Sequence, residues 1–243
     1  MSLIIHTIVK DGIVVCADTR TTHRDQNSIR YDDTAEKIIP FPNNIVISHC
    51  GSSDINEYKS TTNFLLDFRK RQGKRLTIFD LPLQLLNAFH KQGGNNDVVF
   101  KISGCAGDVS MCCTYTIYTK NDQIRLSTAY NSYGASYDGI TDVCHAMLNS
   151  GIDYSTLTIN GAIELTRSCL LENIRLCKYR NEQGIGGKCQ TYIIDIAHDR
   201  IGWLDDDMNV TKDENAPSDA YDKYQRTKMD RWIKTQEKKE KTK

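Results

Sequence analysis

The chain opens on two apolar, β-branched runs, 3–9 (LIIHTIV) and 13–18 (IVVCAD), separated by Lys10-Asp11-Gly12. Asp-Gly between two such runs marks a tight β-hairpin. A polar stretch, 21–34, follows, and short strands are predicted near 36–39 and 44–49, on either side of Pro40 and Pro42. The spacing then changes. Ile55, Tyr58, Phe64, Leu65 and Phe68 recur near the helical period, with Ser52, Ser53 or Asp54 available as a cap and Gly73 as the stop. A second helix is predicted over 78–91, with Leu81, Leu85, Leu86 and Phe89 on one face and Gly93-Gly94 beyond its end. Strands are predicted at 97–103, 111–119 and 123–129, the last two turned at Lys120-Asn121-Asp122. Helices over 137–149 and 158–180 come next, the second broken by Gly184, Gly186 and Gly187. Strands at 189–196 and 201–204 complete the pattern.

The order is strands, two helices, strands, two helices, strands. Two layers of strands with helix pairs outside fit it better than alternating βαβ units. With 243 residues the chain can bury a sizeable core. Charged residues make up 26% and formal net charge is zero, which gives no whole-chain case for nucleic acid or an anionic membrane as partner. No apolar run approaches the roughly 18–20 residues of a spanning helix. His6, Lys10 and Asp11 interrupt the first apolar stretch, unlike a secretory signal, so a cytoplasmic protein is expected.

Nine cysteines, an odd number with no CxxC pair, read as reduced thiols acting mostly as small buried hydrophobes. Cys112-Cys113 are adjacent, which is poor zinc spacing, and no metal or cofactor is expected. The end of the chain differs in kind. Residues 205–222 carry seven acidic residues and one lysine, and 223–243 carry nine basic and three acidic ones. This reads as a solvated tail, 205–243, after a main domain over 1–204.

Four local features fall in one order. Ser2 precedes Gly12 by ten positions and Asp18 by sixteen, and Asp18-Thr19-Arg20 runs on into Thr21-Thr22. Lys37 lies in TAEKIIPF, SHCGSSD occupies 48–54, and YRNEQGIGGKCQTYII follows the last helix. In this combination the chain resembles proteasome β-type subunits and their bacterial relatives, within the N-terminal-nucleophile (Ntn) hydrolases. The resemblance covers roughly residues 2–204. It implies a four-layer αββα sandwich, an α+β fold.

The resemblance also implies a chemistry. Ser2 becomes the nucleophile once Met1 is removed, taking the place of the family's more usual threonine, and its own α-amino group is the base. Such an amine titrates near roughly 7.7–8.0, which suits a base at neutral pH. Lys37 stabilises the developing alkoxide, Asp18 holds Lys37, and the backbone N–H of Gly51 serves the oxyanion. Glu182 stands where the family has an aspartate that orients the amine. Thr21, Thr22 and His49 line the pocket for the substrate residue before the scissile bond, and a histidine there suggests polar or acidic side chains or a pH-dependent preference. Read from the residues alone, Lys37 is a surface lysine paired with Glu36 or Asp33, Asp18 and Gly51 are turn residues, Glu182 is a solvated helix-end residue, and His49 is a strand-end core histidine. The family also has a serine in a Gly-Ser-Gly turn before the third helix. The corresponding stretch, YNSYGASYDG, offers Tyr133 or Ala135 there, with Ser132 and Ser136 nearby.

The expected activity is therefore that of a self-compartmentalising peptidase. It would form a homo-oligomeric ring acting on peptide or unfolded protein and be fed by a separate ATP-dependent unfoldase. Two alternatives remain open: a non-catalytic ring-forming structural subunit, and a small-molecule Ntn amidase.

Overall fold

In the computed structural model the described residues are 2–25, 28–72, 76–106, 109–182 and 184–212. The charged tail beyond 212 lies outside them. The opening hairpin is β1 (Leu3–Val9) and β2 (Gly12–Asp18), paired from Val9↔Gly12 to Ile4↔Ala17. Its strands are the second and third of a six-stranded sheet. β12 (Gly134–Gly139) flanks β1, and β13 (Cys189–Asp195), β14 (Arg200–Leu204) and β15 (Val210–Lys212) extend from β2. A second sheet has the order β11 (Gln123–Thr128), β10 (Cys112–Tyr118), β9 (Val98–Cys105), β6 (Ile45–Gly51), β5 (Ile38–Phe41).

Three apolar clusters separate four layers. Helices α1 (Thr61–Gln72) and α2 (Leu81–Lys91) bury Phe64, Phe68, Leu85 and Phe89 against Ile47, Phe100 and Ile102 of the five-stranded sheet. Helices α3 (Asp142–Leu148) and α4 (Ile159–Tyr179) bury Cys144, Ile163 and Leu170 against Leu3, Ile5, Val14 and Cys16. Between the sheets, Ile4, Ile8, Ile13 and Val15 meet Ile38, Val46 and Cys50. Odd and even positions of β1 thus enter different cores, because successive side chains of a strand point to opposite faces. A strand buried on both faces reads as a continuous apolar run, which is why LIIHTIV shows no alternation. The result is the αββα sandwich the element order implied.

Besides β15, which pairs with β14 inside the span 205–243 read as a tail, four features differ from the sequence reading. The first helix begins at Thr61, and 54–60 instead form a small hairpin, β7 (Asp54–Asn56) and β8 (Lys59–Ser60). The polar stretch after β2 is a hairpin of its own, β3 (Thr21–Asp25) and β4 (Ser28–Asp32), outside both sheets. The third helix begins at Asp142, and 134–139 pair with β1 as an edge strand. Ser136 sits opposite the buried His6 there, which accounts for a polar strand with no apolar signature. Finally, Cys105 and Cys112, read as separate thiols, face each other across β9 and β10 and form a disulfide. The hairpin brings them together, which a spacing of seven residues does not reveal.

Candidate active site

Ser2 enters β1 with its backbone held from β12. The Ile140 N–H donates to the Ser2 carbonyl at 3.1 Å. Gly139, at φ +112°, passes so close that an added Cβ would lie 1.8 Å from that oxygen. A side chain there is excluded, so β12 approaches Ser2 through glycine backbone.

Asp18 ends β2 with its side chain fully buried. One carboxylate oxygen accepts from the Leu3 N–H (2.9 Å) and the Lys37 ammonium (2.8 Å). The other accepts from the N–H groups of Arg20 and Gly186, both at 3.2 Å. Four donors satisfy a carboxylate that has no access to water.

Lys37 immediately precedes β5, and its side chain is 3% exposed. Its Nζ donates to Ser2 Oγ at 2.9 Å, Asp18 Oδ1 at 2.8 Å and the Arg20 carbonyl at 2.5 Å. An ammonium has three protons, and each here has one acceptor. Burial pulls the Lys37 pKa below the ordinary lysine value, and the Asp18 carboxylate opposes that pull. Ser2, Asp18 and Lys37, distant in sequence, therefore form one hydrogen-bonded chain.

That chain opens on a cleft lined by Ser2, Lys37, Thr21, Thr22, His49 and Gly51. Gly51, at φ +94°, ends β6 where a Cβ would meet the Asp97 carbonyl oxygen at 2.6 Å. Arg20, Ser52 and Ser53 complete the rim. His49 is buried, with its ring 3.3 Å from Thr62 Oγ1 and bonded to the Glu36 backbone. Burial first, and the Lys37 charge second, hold its pKa down at about 3. The ring is neutral at physiological pH, so it supplies no positive charge for an acidic substrate and no switch near pH 6–7.

Glu182 is the predicted site residue that the fold does not bring to this chain. α4 ends at Tyr179, and Asn181, at φ 57°, turns the backbone through the left-handed region. The Cys177 thiol then lies 3.8 Å from Glu182 Oε2. Glu182 lines a second cavity, of about 480 Å³, with Arg20, Asp33, Lys178 and Ile185. The candidates for the missing serine are also elsewhere. Gly139 and Ile140 flank Ser2, whereas Ser136 is paired three residues along from the Leu3↔Gly139 pair.

Two features escaped the sequence reading. Arg20 forms a two-point ion pair with Asp33 (2.6 and 2.8 Å) and lies over the Tyr31 ring at 5.3 Å, tying the β3–β4 hairpin to the cleft. Asp33 thus accepts its hydrogen bonds from Arg20 and acts on Lys37 only through its charge. The glycines after α4 fit the same structure. A Cβ on Gly186 would lie 2.3 Å from the Arg20 guanidinium, and one on Gly187 would lie 2.1 Å from Thr19 Oγ1. The Ala-Asp-x-Arg ending held the signal for Arg20, but nothing local marked its partner.

No family model matches the sequence, and no curated protein matches it. Among solved structures, the chain is similar to Anbu (ancestral beta-subunit) from Yersinia bercovieri. The TM-score is 0.61, with 96% of this chain and 94% of the other covered, at 11% identity. The two share one fold. The Anbu-like architecture carries over at that identity; the chemistry rests on this chain's own residues. Among the described residues no helix is long and apolar enough to cross a membrane, and no group of three or more His, Cys, Asp or Glu side chains is placed to hold a metal ion.

Proposed function

We propose that the chain is an N-terminal serine hydrolase of peptide bonds, with Ser2 as nucleophile after removal of Met1. The observation that carries this reading is the buried Lys37 ammonium held between Ser2 Oγ and Asp18, at the mouth of a cleft. A serine hydroxyl is a poor nucleophile without a base, and a freed Ser2 amine supplies one within its own residue. The amine takes the Oγ proton and Oγ attacks the substrate carbonyl carbon. Lys37 stabilises the charge developing on Oγ, and the Gly51 backbone faces the carbonyl oxygen as it becomes an oxyanion. The intermediate collapses to a seryl ester, and the departing amine leaves with the proton. Water, deprotonated by the same Ser2 amine, then attacks the ester carbonyl; the C–Oγ bond breaks, the amine returns the proton to Oγ, and the acid product leaves.

The partners proposed with this activity are peptide or unfolded protein as substrate, further copies of the chain in a ring, and a separate ATP-driven unfoldase. The likeness to a protein named a beta-subunit supports assembly with copies. A second reading, a non-catalytic ring subunit, is favoured by one observation: Glu182 faces Cys177 instead of Ser2.

Intact mass before and after a serine-directed peptide electrophile separates the two. Loss of Met1 with one adduct mapped to Ser2 is expected for the hydrolase. Retained Met1 with no adduct would leave the scaffold reading.

A further inference from the structure

Several features bear on what the cleft beside Ser2 can hold. It is small: its void is about 40 Å³, against about 10–15 Å³ on the same measure for one water. It is lined by short polar groups, with Thr21, Thr22, Ser52 and Ser53 around a neutral His49. Its cations are already committed. Lys37 spends its three donors on Ser2, Asp18 and the Arg20 carbonyl, and the Arg20 guanidinium is paired with Asp33. The carboxylates beside the cleft are committed as well: Asp33 to Arg20, and Asp54 to the Ser53 hydroxyl at 2.7 Å. Among the buried side-chain polar atoms of the described residues, Thr22 Oγ1, on this cleft's lining, has no hydrogen-bond partner.

A buried hydroxyl without a partner is costly, and most such groups in folded proteins are satisfied. A site with an unmet hydrogen bond favours a ligand that completes it over an isostere that cannot. A void of this size favours short side chains over aromatic and long aliphatic ones. A lysine or arginine side chain would meet the Lys37 ammonium with no free carboxylate, and an aspartate or glutamate would find no unpaired cation.

Resting on the hydrolase reading, we propose that this cleft selects a small, neutral, hydroxyl-bearing residue before the scissile bond, serine or threonine, with Thr22 Oγ1 as the group that recognises the hydroxyl. The discriminating comparison is between near-isosteres: serine against alanine, and threonine against valine.

The test uses the full chain, with Met1 removal checked by intact mass, and fluorogenic peptide amides that vary only at that residue. Ser and Thr substrates are expected to exceed Ala and Val in kcat/KM by on the order of tenfold. Phe, Leu, Lys and Glu substrates are expected to fall lower still. In Thr22→Val the Ser/Ala and Thr/Val ratios should collapse toward one, and Thr22→Ser, which keeps the hydroxyl, should restore them. Turnover with Ala equal to Ser, or led by a bulky or charged residue, overturns the proposal and leaves the hydrolase reading standing, as do unchanged ratios in Thr22→Val. No turnover of any substrate, with Ser2 unmodified by the electrophile, overturns both.

Discussion

Among the described residues two buried lysines pair with aspartates, and they differ in what else the ammonium touches. Lys37 pairs with Asp18 at 2.8 Å, and Lys101, 1% exposed, pairs with Asp138 at 2.5 Å. In both, burial lowers the lysine pKa and the aspartate opposes it. The remaining donors of Lys101 go to Thr116 (2.9 Å) and Ser136 (2.5 Å), and the other Asp138 oxygen accepts from Tyr118 at 3.0 Å. Those bonds join β9 and β10 of one sheet to β12 of the other. Lys37 instead donates a hydrogen bond to Ser2 Oγ at an open cleft. Thus a buried ion pair is a strut when its acceptors belong to the two walls it joins. It is poised for chemistry when one acceptor is a hydroxyl that a substrate can reach. A perturbed lysine pKa alone does not distinguish the two.

The comparison breaks most sharply under substitution. Lys37→Met should lower the rate of Ser2 modification by about 10²–10³-fold, because it removes a group aimed at developing charge. Both substitutions should destabilise, by about 3–5 kcal/mol, since each strands an aspartate, but Lys101→Met should leave the rate for folded protein within several-fold. Labelling kinetics beside urea unfolding of both variants checks this. Equal rate losses would make the second pair part of the site.

Acid titration gives the next effect. Burial first, then Lys101 for His6 and Lys37 for His49, holds both rings neutral in the fold. Unfolded histidine titrates near 6.5, so below that pH the unfolded chain binds protons that the native one does not. The stability these rings contribute is therefore present above about pH 6.5 and is lost on acidification. For His49 that loss runs down toward about pH 3, at about 1.4 kcal/mol per pH unit for one proton. Urea midpoints from pH 7 to 4 should show it, and His49→Gln should flatten the slope by about one proton.

A third pair supplies the control. Lys59 and Asp67 lie 2.6 Å apart but are 22% and 42% exposed. Lys59→Ala should cost under about 1 kcal/mol in the same unfolding assay, because water screens the pair. A cost like that of Lys101→Met would mean that burial is not what separates them.

What was legible in the sequence follows the range of the forces involved. Strand runs such as LIIHTIV, the helical faces of Leu85 and Phe89 or Ile163 and Leu170, and the Asp-Gly turn are local patterns. Hydrophobic periodicity and turn chemistry act over a few residues. The element order then left few ways to bury both faces of the opening hairpin, and the sandwich followed. The Ser2–Asp18–Lys37 set was named from spacing and resemblance, and the fold brings those three side chains together. The sequence could not say that Glu182 would turn to Cys177, that Asp33 would take Arg20, or that β12 would press Gly139 against Ser2. Each depends on which strands become neighbours. Without the resemblance, the residues alone did not separate Lys37 from Lys101, two lysines in β-rich stretches. Only the packing of the two sheets decided which ammonium faces a cleft and which is sealed, because desolvation and hydrogen-bond partners are set by neighbours distant in sequence.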